Sequence, residues 1–206
     1  QVVSVLNLMT LREKIGQMIQ YSNNKLLTGP SLDSSNHTEE IKRGEVGSVF
    51  NITSVERARQ YQDLAMQSRL RIPLLFGLDV VHGIKTIFPI PLAEAASFNL
   101  DLIRETAHIA AEETSAYGIH WTFAPMVDIS RDARWGRVME GSGEDVWYGC
   151  QVAKARVEGF QGQGYADKRS VLACAKHFAA YGAAVGGRDY AEADVSAHTL
   201  QQVYLP

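Results

Sequence analysis

The chain has 206 residues, of which 46% are hydrophobic, and a formal net charge of -3 at pH 7. This composition is typical of a globular protein with a sizeable core. The basic residues are scattered along the chain, so neither nucleic acid nor a membrane surface is an expected partner. The sequence contains no run of 18 apolar residues, which is the length that would predict a membrane span. The charge pattern instead favours a small or polar uncharged ligand.

Continuous apolar runs alternate with amphipathic helical patterns along the chain. The predicted strands are 45–51, 72–79, 120–128 and 170–177. The predicted helices are 54–69, 99–118, 144–162 and one that begins at Ser196. Strands that are apolar throughout, rather than at every second position, are typical of a parallel sheet covered on both faces. A doubly wound sheet and a barrel both fit this alternation.

The position of the polar residues favours the barrel. Asp79, Asp128 and the Lys176-His177 pair all fall at the carboxyl ends of predicted strands, where both architectures build their sites. Neither GxGxxG nor GxxxxGK[ST] follows the first strand, so the phosphate-binding loop of a doubly wound sheet is missing. We therefore predict an α/β fold of the parallel (β/α)8 TIM-barrel type. With four predicted strands, about the first half to two-thirds of such a barrel is present.

The stretch VLACAKHFAAYG, residues 171–182, ends a buried strand in two polar side chains. Because successive strand side chains point to opposite faces, Lys176 and His177 cannot both face the barrel mouth from a regular strand. The sequence therefore predicts a bulge or a non-proline cis peptide bond at this junction.

A second concentration of charge lies in the loop after Asp128. Arg131, Arg134 and Arg137 share this loop with Trp135 and several carboxylates. We interpret most of these charges as an ion-pair network that stiffens the connection, with one or two arginines left to reach a ligand.

No metal or cofactor is expected, because the six histidines show no HxH or HExxH spacing. Two other functions remain open on the residues alone. Lys176 on a barrel strand is the position of a Schiff-base nucleophile in an aldolase, although that chemistry needs an apolar pocket. Asp79, in turn, is expected either to cap a loop or to accept hydrogen bonds from a ligand.

Five ordered motifs carry a resemblance to a known family. They are FGLDVVHG, TIFPIPLAEAASFN, FAPMVDISRDARWGR, EGSGED and KHFAAYG. Together they resemble the N-terminal barrel domain of glycoside hydrolase family 3, in particular its bacterial periplasmic β-glucosidase branch. The resemblance implies that residues 1–206 are the N-terminal part of such a domain, truncated at its C-terminal end. It also implies a periplasmic or secreted location.

The resemblance implies a role for each matching residue. Asp79 would accept hydrogen bonds from the hydroxyls of a terminal non-reducing glucose, and Arg137 would donate to the same sugar. Lys176 and His177 would bind further hydroxyls. Arg188, in the glycine-rich segment GGRDY, would make an additional contact. His82 and Trp135 are expected to support these residues rather than to touch the sugar.

The implied activity is that of a retaining, exo-acting β-glucosidase, which needs a nucleophile and an acid/base. The family's nucleophile motif, similar to VSDW or VSDH, does not occur in these 206 residues, and the acid usually comes from a second domain. No catalytic residue is therefore expected in this chain. The nucleophile and the acid/base are expected beyond Pro206. The rest of the barrel and the second domain would then be partners, in the same or another chain.

Alternatives within and outside the family stay open. The chain as given would also fit a catalytically incomplete carbohydrate-binding or assembly fragment. A β-xylosidase or an N-acetylglucosaminidase of the same family are further alternatives. The family's N-acetylglucosaminidases typically carry KHFPGHG, and here Tyr181 replaces the histidine of that run. The β-glucosidase is therefore favoured.

Overall fold

The computed structural model describes residues 2–23, 37–164 and 167–206. Contacts within the chain divide it into two compact units. The first unit comprises Gln1–Leu78 and Tyr117–Trp121, and the second comprises Asp79–Ala116 and Thr122–Pro206.

The first unit is built on short parallel strands that alternate with helices. Its elements are α1 (Val2–Leu8), α2 (Leu11–Gly16), β1 (Gln20–Ser22), α3 (Thr38–Lys42), β2 (Ser48–Phe50), α4 (Val55–Ala65) and β3 (Leu75–Leu78). The sheet order is β1-β2-β3-β4, where β4 is Trp121–Thr122. β2 lies parallel to both β1 and β3, with Val49 opposite Phe76. These two residues belong to the buried apolar core of this unit, together with Ile41, Ile52 and Ile119.

Side-chain caps explain where two of these helices begin. Thr10 and Glu13 form a reciprocal capping box at the start of α2. Arg69 donates to both carboxylate oxygens of Glu13, and this hydrogen bonding, with that of Thr10, lowers the pKa of Glu13 to about 2. Ser54 caps α4 by accepting a hydrogen bond from the backbone of Arg57.

The second unit is dominated by two long helices. Its helices are α5 (Pro91–Ala95), α6 (Leu100–Ala116), α7 (Val146–Gln161) and α8 (Ala197–Thr199), and α8 continues as π-helical turns over Leu200–Tyr204. Short 3-10 turns cover Val138–Glu140, Tyr181–Ala183 and Val185–Gly187. α6 and α7 approach closely because α7 carries Gly159, where a Cβ atom would lie 2.3 Å from the carbonyl oxygen of Arg104.

The observed elements follow the predicted order but are shorter. The predicted strands 45–51, 72–79 and 120–128 reduce to β2, β3 and β4. The short β1 was not predicted, because Gln20–Ser22 has no apolar pattern. Each of the helices predicted at 54–69, 99–118 and 144–162 is present within those bounds, and Ser196 caps the last helix as expected.

The predicted fourth strand, 170–177, does not form a regular strand. The segment still runs beside the chain after β4: Cys174 donates to the carbonyl oxygen of Ala124, and Lys176 donates to that of Pro125. Met126 and Lys176 form an isolated parallel bridge. Because Pro125 has no N–H group, it cannot donate the backbone hydrogen bond that a regular strand would make at this position.

Candidate functional site

The polar residues at the predicted strand ends come together in the second unit. Asp79 follows β3 directly, and the Nζ atom of Lys176 donates to Asp79 Oδ1 over 2.7 Å. The Lys176 side chain is 15% exposed and that of Asp79 is 44% exposed. The pair is therefore open to solvent on the carboxylate side, and among the described residues no donor is bonded to the second oxygen of Asp79.

The peptide bond between Lys176 and His177 is cis, which confirms the distortion predicted at this junction. The backbone N–H of His177 donates to Asp128 Oδ2 over 3.0 Å, and the ring atom Nδ1 lies 2.8 Å from the same oxygen. The Asp128 side chain is only 1% exposed. In a neutral imidazole, a carboxylate at Nδ1 favours the tautomer with the proton on that nitrogen and with Nε2 as the acceptor.

Arg137 lies beside this histidine and is held by a carboxylate of its own. Its Nε and Nη2 atoms donate to the two oxygens of Glu140 over 2.6 and 2.7 Å. Its Nη1 atom is 3.5 Å from His177 Nε2. The 3-10 turn over Val138–Glu140 brings Glu140 back to Arg137. The two-pronged geometry fixes the plane of the guanidinium group.

This pairing shifts the pKa of both partners. The hydrogen bonds to Glu140 raise the pKa of Arg137, so the guanidinium stays charged at any working pH. Burial raises the pKa of Glu140, but the hydrogen bonds and charge of Arg137, with Lys176 and His177 nearby, outweigh burial and leave the pKa lowered. The site thus presents a fixed cation next to a fixed anion.

An aromatic residue packs against both His177 and Arg137. The Tyr181 ring lies edge-on to the His177 ring at 4.8 Å between centroids, and the Arg137 Cζ atom is 5.4 Å from the Tyr181 centroid. The Tyr181 hydroxyl donates to Asp189 Oδ1 over 2.5 Å, and the indole N–H of buried Trp135 donates to the same oxygen over 3.1 Å. Burial and the bond to Asp189 raise the pKa of Tyr181 to about 12, so its hydroxyl remains a donor.

The two residues expected to support the site, Trp135 and His82, make contacts away from the Lys176–Asp79 pair, and their supporting role stays a prediction. Trp135 is almost fully buried. His82 Nδ1 lies 3.0 Å from the carbonyl oxygen of Phe88, while the Phe88 N–H donates to the carbonyl oxygen of His82. His82 therefore closes the loop that follows Asp79.

Arg188 is the predicted site residue that the structure does not connect to the others. It is exposed, and its side chain makes no hydrogen bond or ion pair with the part of the chain that is described. It follows a 3-10 turn, Val185–Gly187, in which both Gly186 and Gly187 have positive φ. A role for Arg188 in binding stays a prediction.

Three residues of the site were not singled out as contacts by the sequence: Glu140, Tyr181 and Asp189. The i,i+3 spacing of Arg137 and Glu140 is a signal for the first of these. Tyr181 and Asp189 meet Trp135 only through tertiary contacts, and no local pattern indicates such contacts. Arg134, by contrast, pairs with Asp132 within the loop, an isolated pair in place of the predicted ion-pair network.

The arrangement offers donors and acceptors to an uncharged polar ligand. Lys176 and Arg137 supply N–H donors, and Asp79 supplies an acceptor. Within residues 2–23, 37–164 and 167–206, no group of three or more His, Cys, Asp or Glu side chains is placed to hold a metal ion. Among the same residues, no helix combines the length and apolar character needed to cross a membrane.

Comparison with known proteins gives a consistent result. The family model for the glycosyl hydrolase family 3 N terminal domain matches residues 10–206. The periplasmic β-glucosidase of Salmonella typhimurium is 45% identical over 206 residues, which is 100% of this chain and 26% of that protein. The lysosomal β-glucosidase of Dictyostelium discoideum is 30% identical, with 98% of this chain and 28% of that protein covered.

Solved structures of similar enzymes also match the fold of this chain. The β-glucosidase from Listeria innocua in complex with isofagomine matches with a TM-score of 0.91 at 43% identity, covering 100% of this chain and 30% of that one. An exo-1,3/1,4-β-glucanase from Pseudoalteromonas matches with a TM-score of 0.86 at 29% identity, covering 99% and 27%. The predicted parallel α/β fold of the barrel type is confirmed by these matches. The chain spans about a quarter to a third of the length of these proteins.

Proposed function

The chain belongs to glycoside hydrolase family 3, and from that premise we propose that it supplies part of the glucose-binding site of a β-glucosidase. The enzyme would be retaining and exo-acting, and would release terminal non-reducing β-D-glucosyl residues from β-glucosides or oligosaccharides. Residues 1–206 would be the N-terminal part of its barrel domain. The enzyme would work in the periplasm or after secretion, in keeping with the periplasmic relative from Salmonella typhimurium.

The observation that carries the proposal is the contact of Lys176 with Asp79 and of His177 with Arg137. Each sugar hydroxyl both donates and accepts, so a site for a whole sugar needs both kinds of partner close together. Asp79 would accept from one hydroxyl and Lys176 would donate to a neighbouring one. Arg137 and His177 would bind the next hydroxyls along the ring, and Arg188 would add a contact from its loop.

The described carboxylates of the site suit binding better than reaction. A retaining glycosidase needs two carboxyl groups about 5–5.5 Å apart, one as nucleophile and one as acid. Asp128 is buried against His177, and Glu140 has both oxygens on Arg137. In the proposed mechanism, this chain holds and orients the sugar. The nucleophile and the acid/base come from the rest of the barrel and a second domain.

The first experiment is hydrolysis of an aryl β-glucoside by this chain and by the complete protein that carries it. We expect turnover by the complete protein and none by the 206 residues alone. Asp79→Ala in the complete protein should lower kcat/KM by about 100-fold, because it removes a charged acceptor of sugar hydroxyls. Asp101→Ala is the matched control, since Asp101 is an exposed carboxylate on α6.

Each other result has a definite meaning. Turnover by the chain alone that disappears with Asp79→Ala would place a reaction centre within these residues and would overturn the assigned roles. Glucose binding without turnover, even by the complete protein, would favour the non-catalytic carbohydrate-binding fragment.

A β-xylosidase is the second candidate, since a β-xylosidase of Formosa agariphila is 33% identical over 84% of this chain. Xylose lacks the hydroxymethyl group of glucose but keeps the ring hydroxyls that the site would bind. Parallel assays with aryl β-glucoside and aryl β-xyloside separate the two. A higher kcat/KM for the xyloside would replace the proposed substrate.

A further inference from the structure

One carboxylate oxygen joins three separate segments of the second unit. Asp189 Oδ1 accepts the indole N–H of Trp135 over 3.1 Å and the hydroxyl of Tyr181 over 2.5 Å. These hydrogen bonds lower the pKa of Asp189. The carboxylate therefore stays charged at neutral pH, and hydrogen bonds to a charged acceptor are shorter and stronger than those between neutral groups.

Each of the three segments carries a residue of the proposed sugar site. Trp135 lies two residues before Arg137, Tyr181 lies four residues after His177, and Asp189 directly follows Arg188. Residues far apart in the chain thus belong to segments that are joined by the Asp189 carboxylate, which we call the anchor.

The anchor also acts through a side chain that touches the site. Tyr181 packs edge-on against His177 and lies beneath the guanidinium group of Arg137. Edge-to-face and cation–π contacts are individually weak, but they are directional. A ring whose hydroxyl is held by Asp189 is therefore able to set the orientation of two neighbouring side chains.

We propose that Asp189 and Tyr181 are positioning residues of the glucose site, which orient His177 and Arg137 toward the sugar. The inference rests on the proposed function, and it deepens that function by assigning roles to two residues outside the predicted contact set. Asp189 Oδ1 accepts from two donors, so the proposed role of Asp189 is exerted through Tyr181 and Trp135. Arg188 directly precedes Asp189 in the chain, so the hydrogen bonds of Asp189 would also position Arg188.

The exposure of Asp189 makes the proposal testable. Asp189 is exposed, so its replacement leaves no cavity in the core. Misplacement of binding groups by about 1 Å costs about 100-fold in rate, and a smaller displacement costs less. We therefore expect Asp189→Ala in the complete protein to lower kcat/KM for an aryl β-glucoside by about 10- to 100-fold.

Two milder variants and a control refine this test. Tyr181→Phe keeps the ring and removes the hydroxyl, and should lower kcat/KM by about 3- to 10-fold, as for one lost hydrogen bond. Asp189→Asn keeps an acceptor without the charge, and its kcat/KM should lie between that of Asp189→Ala and that of the unaltered protein. Asp194→Asn is the control, because Asp194 is an exposed carboxylate on the same segment and makes no ion pair within the described residues.

Singly deoxygenated glucosides separate positioning from general loss of structure. In the unaltered protein, removing a hydroxyl bound by Arg137 or His177 should reduce kcat/KM strongly. In Asp189→Ala, removing the same hydroxyl should reduce kcat/KM by a factor at least threefold smaller. The reason is that the contacts of Arg137 and His177 with the sugar are already weakened in this variant. Such a difference measures the coupling between the anchor and one hydroxyl, and a uniform loss of folded protein would not produce it.

The outcomes distinguish this inference from the function on which it rests. If Asp79→Ala lowers kcat/KM by about 100-fold while Asp189→Ala and Tyr181→Phe match the Asp194→Asn control, the positioning role is overturned and the glucose site stands. The role is also overturned if the cost of every lost hydroxyl is the same in Asp189→Ala as in the unaltered protein. If the complete protein neither binds glucose nor cleaves glucosides, the proposed function itself fails, and this inference with it.

Discussion

The charged side chains in the loop between β4 and α7 form separate pairs rather than one continuous network. Arg134 makes a two-pronged pair with Asp132 at the surface, and this hydrogen bonding lowers the pKa of Asp132 to about 2. Arg137 makes a similar pair with Glu140 inside the site. The surface pair is screened by solvent and contributes little to stability. The Arg137–Glu140 pair is half-buried and lies within the candidate site.

The Arg137–Glu140 pair predicts a specific dependence of stability on pH. The folded pKa of Glu140 is lowered from its ordinary value of 4.5. Its contribution is therefore fully present above about pH 4.5 and is lost as the pH falls through the lower folded pKa. We expect Glu140→Gln to lower the melting temperature at pH 7, and the difference from the unaltered protein to shrink as the pH falls below 4.5.

Thermal unfolding between pH 7 and pH 3 measures this effect. Glu144→Gln removes an exposed carboxylate from the same loop and is the matched control. A difference between Glu140→Gln and the unaltered protein that stays constant over this range would contradict the linkage.

At the scale of elements, the packing of α6 on α7 depends on one missing side chain. A Cβ atom on Gly159 would lie 2.3 Å from the carbonyl oxygen of Arg104 and 2.7 Å from the Cβ atom of Ala107. Neither distance is compatible with van der Waals contact, so the two helices would have to move apart. The surrounding cluster includes the buried residues Ile103, Val152 and Ala155.

Gly159→Ala is therefore expected to destabilise the protein. Alanine favours a helix by about 1 kcal/mol relative to glycine, but overpacking typically costs about 1–3 kcal/mol. The melting temperature should fall, and Gly136→Ala is the control because nothing lies within 4 Å of its added Cβ atom. A melting temperature for Gly159→Ala at or above that of the unaltered protein would show that helix propensity outweighs the close approach.

At the scale of the whole molecule, the stability of the second unit depends on a buried ion pair. Arg156 Nη1 donates to Glu94 Oε2 over 2.7 Å, and Nη2 donates to the carbonyl oxygen of Val81 over 2.5 Å. The two charged side chains are only 5% and 4% exposed. Burial lowers the pKa of Arg156. The pair links α5 to α7, and through the carbonyl oxygen of Val81 it also links both helices to the segment that follows Asp79.

Breaking this pair on one side should destabilise the fold strongly. Glu94→Gln leaves the Arg156 charge without its carboxylate, and such changes typically cost about 3–5 kcal/mol. The double variant Glu94→Leu with Arg156→Met removes both charges and should recover much of that loss, since apolar replacements of buried pairs are often neutral. Urea unfolding of both variants measures the difference, and an equally unstable double variant would contradict this account.

The sequence and the structure agree most closely where local pattern and site chemistry coincide. Asp79, Asp128, Lys176 and His177 are polar residues after apolar runs, and the strand-end rule predicts that they meet. Strand lengths were overestimated because apolar runs continue beyond the hydrogen-bonded ladder, and Pro125 interrupts the third one. Asp189 was not found, because its partners Trp135 and Tyr181 are 54 and 8 residues away and no periodicity joins such positions.

The pairing of Lys176 with Asp79 and of Arg137 with Glu140 has a consequence for selectivity. Both cations are already balanced by a carboxylate, so neither needs an anion from the ligand. In the proposed site, a neutral glucose ring would exchange its water for hydrogen bonds with these paired groups, without displacing counterions. A sugar acid, by contrast, would bring a third negative charge toward two existing carboxylates and lose its hydration. At these two positions, the proposed glucose site would therefore favour neutral sugars over their oxidised, acidic counterparts.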